Sequence, residues 1–238
     1  MKILSEKGYA SVEGLSRELF VSMPTVRRDL NTMQDLGLVV RSHGGVVQRL
    51  SETDGGPAVF RMGVNSQAKL KLDKAAAKLL RDNSMVFLDE STTTLHIIDQ
   101  MSAFKNITVV TNNISVLQLA AKYRIPTICL GGETSYDTMS FYGHEAEELI
   151  THFGIDIMFF SSSAITSSSW IADYSAPASA LRRRVLRQAD MKVFLCDKSK
   201  FLKHGAYMLM PLGEADHIIT DAPLPEELNI GSAHVTVV

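Results

Sequence analysis

The chain has 238 residues, enough for one small and one medium domain with real cores, and its 45% hydrophobic and 21% charged content is ordinary for a globular protein. Its two cysteines, Cys129 and Cys196, lie in apolar strand-like runs and read as buried hydrophobes; no metal-ligand spacing joins them to any of the seven histidines. No apolar signal segment opens the chain and no stretch approaches the roughly 18 apolar residues of a membrane helix, so the expectation is a cytoplasmic protein without metal or cofactor.

In chain order, a short first helix runs from Met1 to about Lys7, with Ile3 and Leu4 as core contacts, before a turn at Gly8-Tyr9. Ser11 or Val12 opens a second helix through Leu19, with Val12, Leu15 and Leu19 on its buried side, and Phe20-Val21 make a tight turn. Ser22 is a good N-cap, Pro24 suits a first turn, and Val26, Leu30, Met33 and Leu36 recur at helical spacing until Gly37 stops the helix. Thr25, Arg27 and Arg28 fall off that apolar stripe, where a hydroxyl and two guanidinium groups suit base edges and phosphates. Two helices joined by about three residues form a helix-turn-helix, whose second helix enters the major groove. Leu38, Val40 and Gly44-Gly45-Val46-Val47 then read as a β-hairpin wing carrying Arg41 and His43. The alternative at this point is a helical hairpin with a solvated charged face. The net charge of −2 does not argue against DNA, because residues 1–49 carry seven basic and five acidic residues, or +2. So few positive charges bind phosphates weakly in a monomer, and a homo-oligomer, dimer or tetramer, is expected.

Residues 50–58 read as a polar, glycine-containing linker, which separates a DNA-binding domain over 1–49 from a second domain over 59–238. There, helical segments at 66–81, 94–102, 113–123, 143–153 and 177–190 alternate with strand candidates. The strands are Met85–Leu88, Ile107–Thr111, Thr127–Leu130, Ile157–Phe160, Lys192–Cys196 and His217–Thr220. That alternation predicts a mostly parallel α/β sheet, in which ligands bind beyond the C-terminal strand ends. The loops at those ends are 89–94, 111–113, 131–133, 161–163 and 197–200, several of them rich in hydroxyls and amides that can hold an anion. Asp89, Ser91, Thr92, Thr93, Thr94, Asn112, Gly131, Gly132 and Lys200 are the candidate ligands of a small effector. The run Arg182-Arg183-Arg184 reads as a solvated helix face, with a subunit contact or a pocket edge as the other readings.

The segment Val21-Ser22-Met23-Pro24-Thr25-Val26-Arg27-Arg28-Asp29-Leu30 and the wing Arg41-Ser42-His43-Gly44-Gly45 resemble the winged helix-turn-helix of DeoR-type bacterial transcriptional regulators. Asp89 to Thr94, Thr111-Asn112-Asn113, Gly131-Gly132 and Asp197-Lys198-Ser199-Lys200-Phe201 are similar to the sensor domain of that family, so the resemblance spans essentially the whole chain. It implies a regulator, a repressor of carbohydrate metabolism genes, that binds an operator and answers to a sugar phosphate or related metabolite held in a fold shared with sugar-phosphate isomerases. Against the family pattern, Ser91, Ser161, Ala164 and Ser169 stand where glycine is expected, and Ala178 and Arg182 replace a glutamate and a lysine. An added Cβ narrows a pocket where glycine let a ligand approach.

Two rival readings differ in class. One is a sugar-phosphate isomerase-like enzyme using Asp89, Glu90, Glu133 and Lys200 as acid–base groups. It leaves the N-terminal domain without a use, and no residue pair has the spacing of a nucleophile and its base. The other, motivated by the lost glycines, is a regulator whose second domain only oligomerises.

Overall fold

The computed structural model describes residues 3–4, 9–35, 39–42, 45–48 and 58–238. Leu36, Gly37, His43, Gly44 and the linker at 50–57 lie outside the described residues. The chain divides into two compact units, Met1–Arg61 and Met62–Val238.

In the first unit, β1 (Tyr9–Ser11) precedes α1 (Val12–Leu19), α2 (Met23–Asp35), β2 (Val39–Ser42) and β3 (Gly45–Gln48). Ser11 caps α1 by accepting from the Gly14 N–H at 2.9 Å. The helix ends at Phe20, whose left-handed φ of 56° turns the chain so that the Val21 N–H also reaches the Ser16 carbonyl. Strands β2 and β3 pair antiparallel, Arg41 opposite Val46, as the wing predicted. The sequence missed β1: Tyr9, read as part of a turn, pairs with Val47 and gives the wing a third strand. Leu4, Ala10, Leu15, Val26, Leu30, Val39 and Val46 form the core, with Ile3, Val12 and Met33 against it. Leu19, expected inside, is exposed at the last position of α1.

The second unit follows α3 (Ala58–Gly63) and opens with α4 (Ser66–Ala76). Then come β4 (Met85–Leu88), α5 (Ile98–Met101), β5 (Thr108–Thr111), α6 (Ile114–Tyr123), β6 (Thr127–Cys129), and the hairpin β7 (Glu133–Ser135) and β8 (Ser140–Tyr142). The rest is α7 (His144–Leu149), β9 (Ile155–Phe160), β10 (Ala164–Ile165), β11 (Trp170–Asp173), α8 (Ala176–Gln188), β12 (Ala189–Cys196), β13 (Tyr207–Pro211), β14 (His217–Thr220) and β15 (His234–Val237). Seven strands form a parallel sheet in the order β15-β14-β12-β9-β4-β5-β6.

The alternating side chains of these strands fill two cores. Val86, Leu88, Val109, Phe159, Val193 and Leu195 pack with Leu72, Ile98 and Val116 from α4 to α6. Phe87, Val110, Met158, Phe160 and Phe194 pack with Ala146, Leu181 and Val185 from α7 and α8. A second small sheet, β10-β11-β13, lies against this latter core through Ile165, Ile171 and Met210. Strand β15, the β7–β8 hairpin and this small sheet were not foreseen. They are short pairings between segments distant in sequence, and a local hydrophobic period does not announce them. Among the described residues, no helix is long and apolar enough to cross a membrane.

Candidate functional site

The first unit presents its candidate contacts on α2. The Ser22 hydroxyl meets the Thr25 hydroxyl at 2.9 Å and accepts from the Thr25 N–H at 3.4 Å, so it caps the helix start. The Val21 N–H donates to the Ser16 carbonyl at 3.2 Å and the Ser16 hydroxyl donates to the Val21 carbonyl at 2.6 Å, which fixes the turn. Val26 and Leu30 are buried; Arg27 and Arg28 are exposed and Thr25 half-exposed on the opposite face. Arg41 is on β2, and His43 lies outside the described residues.

In the second unit the strand order switches sides between the parallel neighbours β4 and β9: β5 and β6 extend the sheet to one side, β12, β14 and β15 to the other. A crevice is expected at such a switch point, and there the loops after β4, β9 and β12 meet. Asp89, fully buried, accepts from the Ser91 N–H at 3.1 Å and the Thr94 hydroxyl at 2.8 Å on one oxygen. Its other oxygen accepts from the Ser161 N–H at 3.0 Å and Arg182 Nε at 3.1 Å. Ser91 accepts from the Thr94 N–H at 3.2 Å, closing the loop on itself, and Thr92 and Thr93 are buried in the same turn. Lys200 donates to the Ser161 hydroxyl at 2.6 Å, which in turn donates to the Leu195 carbonyl at 2.6 Å. Asn112, Gly131 and Gly132 lie in the loops that follow β5 and β6; Asn112 Nδ2 donates to the Phe141 carbonyl at 3.0 Å. Gly132 has φ of 103°, and a Cβ there would come within 2.3 Å of the Tyr142 carbonyl oxygen, so only glycine fits.

Arg182 corrects the sequence reading. It is not on a solvated face: it is buried, and its guanidinium pairs with Asp89, with Asp173 at 2.5 Å and with Glu90. The run Arg182-Arg183-Arg184 hides this, because only the helix packing decides which arginine turns inward; Arg184 is exposed. Asp173 was missed because β11 belongs to the unforeseen small sheet. Burial works against the Arg182 charge, but Glu90, Asp173 and Asp89 outweigh it and raise its pKa. Burial also opposes ionisation of Asp173, yet Arg182 and the Tyr174 N–H hold its carboxyl below the usual range. For Glu90 burial prevails over Arg182 and, with Asp89 adding to it, pushes the carboxyl up to about 7.

The replaced glycines are accommodated without opening the loops. Of Ser91, Ser161, Ala164 and Ser169 only Ser169 has a positive φ, 61°, and its hydroxyl accepts from the Asn229 N–H at 2.8 Å. Glu133 is exposed, and His144 is exposed and pairs with Glu148 at 3.1 Å. Among the described residues no group of three His, Cys, Asp or Glu side chains is arranged to hold a metal ion.

The family described as the DeoR-like helix-turn-helix domain matches residues 1–52, and that described as the DeoR C terminal sensor domain matches residues 64–222. The chain is similar to the L-fucose operon activator of Haemophilus influenzae, 31% identical over 226 residues that cover 94% of this chain and 90% of the relative. It is also similar to the glycerol-3-phosphate regulon repressor of the same organism, 26% identical with 94% and 88% covered. Among solved structures, ribose 5-phosphate isomerase A of Methanocaldococcus jannaschii aligns with a TM-score of 0.44 at 20% identity, over 63% of this chain and 57% of that one.

Proposed function

The chain belongs to the DeoR family, so it is a DNA-binding transcriptional regulator and not an enzyme; from that premise we propose that it is a repressor of carbohydrate metabolism genes, released or retained by a sugar phosphate or related metabolite. The exposed face of α2, with Thr25, Arg27 and Arg28 opposite the buried Val26 and Leu30, carries the first half of this reading. That helix enters the major groove, Ser22 and Thr25 approach the backbone, Arg27 and Arg28 contact bases or phosphates, and Arg41 and His43 follow on the wing. The protein acts in the cytoplasm as a homo-oligomer, dimer or tetramer, which multiplies phosphate contacts that one copy supplies sparsely.

The effector occupies the crevice of Asp89, Ser91, Thr92, Thr93, Thr94 and Lys200, with Asn112, Gly131 and Gly132 at its flank. Hydroxyls and loop N–H groups suit an anionic group, and buried carboxylates suit sugar hydroxyls. Repression is favoured over activation by the glycerol-3-phosphate regulon repressor, although the L-fucose operon activator is also a relative.

Genomic fragments retained by the full-length protein identify the operator, and Arg28→Ala is then expected to cost about 1–3 kcal/mol per contact. An unchanged operator affinity in that variant overturns the groove assignment. For the effector, a thermal-shift screen against sugar phosphates, free sugars and polyols should find a ligand that stabilises the protein by about 2.7 kcal/mol at 100 times its dissociation constant. No shift with any sugar or sugar phosphate favours a second unit that only oligomerises.

A further inference from the structure

The hairpin β7–β8 forms a two-stranded sheet of its own and joins neither larger sheet of the second unit. Two strands alone are marginal in water, so its order comes from anchors at its base. The Ile114 N–H donates to the Met139 carbonyl and the Phe141 N–H to the Asn112 carbonyl, both at 2.9 Å. The Tyr142 hydroxyl donates to the buried Thr138 hydroxyl at 3.2 Å. Beyond these anchors the tip projects: Tyr136 is 85% exposed, and Asp137 beside it is exposed. Glu133 is exposed at the start of the hairpin, and no basic residue lies between 133 and 142. The hairpin is thus an anchored, acidic arm that ends in a tyrosine, a residue type enriched where proteins meet.

The same unit carries an exposed apolar surface. Strand β13 opens with Tyr207 and Met208, 38% and 40% exposed. Leu202, 43% exposed, holds a left-handed φ of 53° in the loop before it. That loop is fastened in place. The Lys203 N–H donates to the Ile165 carbonyl at 2.9 Å and the Tyr174 hydroxyl to the His204 carbonyl, and a Cβ on Gly205 would come within 2.5 Å of Ala172 Cβ. Apolar groups held outward by a rigid loop are stabilised when another surface covers them. The rim is cationic: Lys203 is exposed, and half-buried Arg183 donates to the Met208 carbonyl at 2.9 Å. Asp173, opposite Tyr207 on β11, is already paired with Arg182.

Both β8 and β13 pack on α8, so the arm and the patch are neighbours on the side of the sheet that α7 and α8 cover. A two-fold symmetric contact needs one surface that holds both complementary parts, and this surface has an acidic arm and a basic-rimmed apolar patch. We propose that it docks a second copy of the chain: the arm, with Tyr136 at its tip, covers the Leu202, Tyr207 and Met208 patch of the other copy, Asp137 meets the basic rim, and the contact is returned across the two-fold axis. This rests on the reading that the protein is a homo-oligomer and names the contact that forms it.

Sedimentation velocity of the full-length protein at several concentrations reads the association. The parent should associate, and Tyr136→Ala should weaken one association step tenfold or more. Asp137→Lys and Lys203→Glu should each do the same alone. An equal mixture of those two variants should associate again, because each copy then offers the charge that the other lacks; recovery also shows that both are folded. A parent that stays monomeric overturns the homo-oligomer and this contact together. A parent that associates while Tyr136→Ala and Lys203→Glu leave it unchanged keeps the homo-oligomer and overturns the contact. Loss in both charge variants without recovery in the mixture overturns the pairing of arm with patch.

Discussion

Replacing Arg182 with methionine is expected to destabilise the second unit by about 3–5 kcal/mol at neutral pH, because it leaves Asp89, Glu90 and Asp173 buried beside one another without their shared cation. Methionine fills much of the same volume, so lost charge rather than lost packing dominates. The single tryptophan, Trp170, lies in the second unit and makes its denaturant transition readable apart from the first. The penalty should shrink as pH falls and the stranded carboxylates take up protons. Arg182→Lys should be intermediate, since one ammonium cannot reproduce a planar fork that serves three carboxylates. Arg187→Ala, on the exposed side of the same helix, should stay within about 0.5 kcal/mol. A cost below about 1 kcal/mol for Arg182→Met would show that the cluster is not a structural keystone.

Asp73 should make the protein less stable as pH rises. It is 2% exposed, and neither oxygen accepts a hydrogen bond of normal geometry. Burial pushes its carboxyl up from 3.8 to about 8, with Asp99 adding to the rise and the His96 backbone and Lys69 opposing it. Between those two values the folded protein keeps a proton that the unfolded chain releases, so stability falls as pH rises, by about 1.4 kcal/mol per pH unit at most. The contribution is fully present below pH 3.8 and gone above about 8. Asp73→Ala removes this dependence. From pH 5 to pH 8 the variant should gain on the parent by about 3–4 kcal/mol, an order-of-magnitude figure, in denaturant titrations at each pH. The comparison matters because Glu90, also raised, tilts parent and variant alike. A difference between the two that does not change with pH would mean that Asp73 does not titrate in this window.

Much of the molecule was legible because its signals are local. Ser22, Pro24 and the Val26–Leu30–Met33 period specify a capped amphipathic helix whatever surrounds it, and α2 runs from Met23 to Asp35 as they require. The strands Met85–Leu88 and His217–Thr220 have the bounds expected of them, because a parallel strand buried on both faces is a continuous apolar run. Ends were less secure: β12 starts at Ala189, before the Lys192 expected, since its first residues borrow order from β9.

The sequence alone specified the capped helix α2 with its exposed arginines, the central parallel strands and the strand-end loops that hold Asp89, Thr92 and Lys200. These follow from caps, periods and turn residues, which act over a few positions. Only the tertiary structure decided which charged groups meet. Arg182 and Arg184 are indistinguishable by type, but one helical rotation buries the first among three carboxylates while the second stays exposed. Lys69 and Thr92 are 23 residues apart, Asp89 and Arg182 93, and no periodicity links them. Charge pairing inside a protein depends on distance and desolvation, and both are set by how helices pack on the sheet rather than by the order of residues along it.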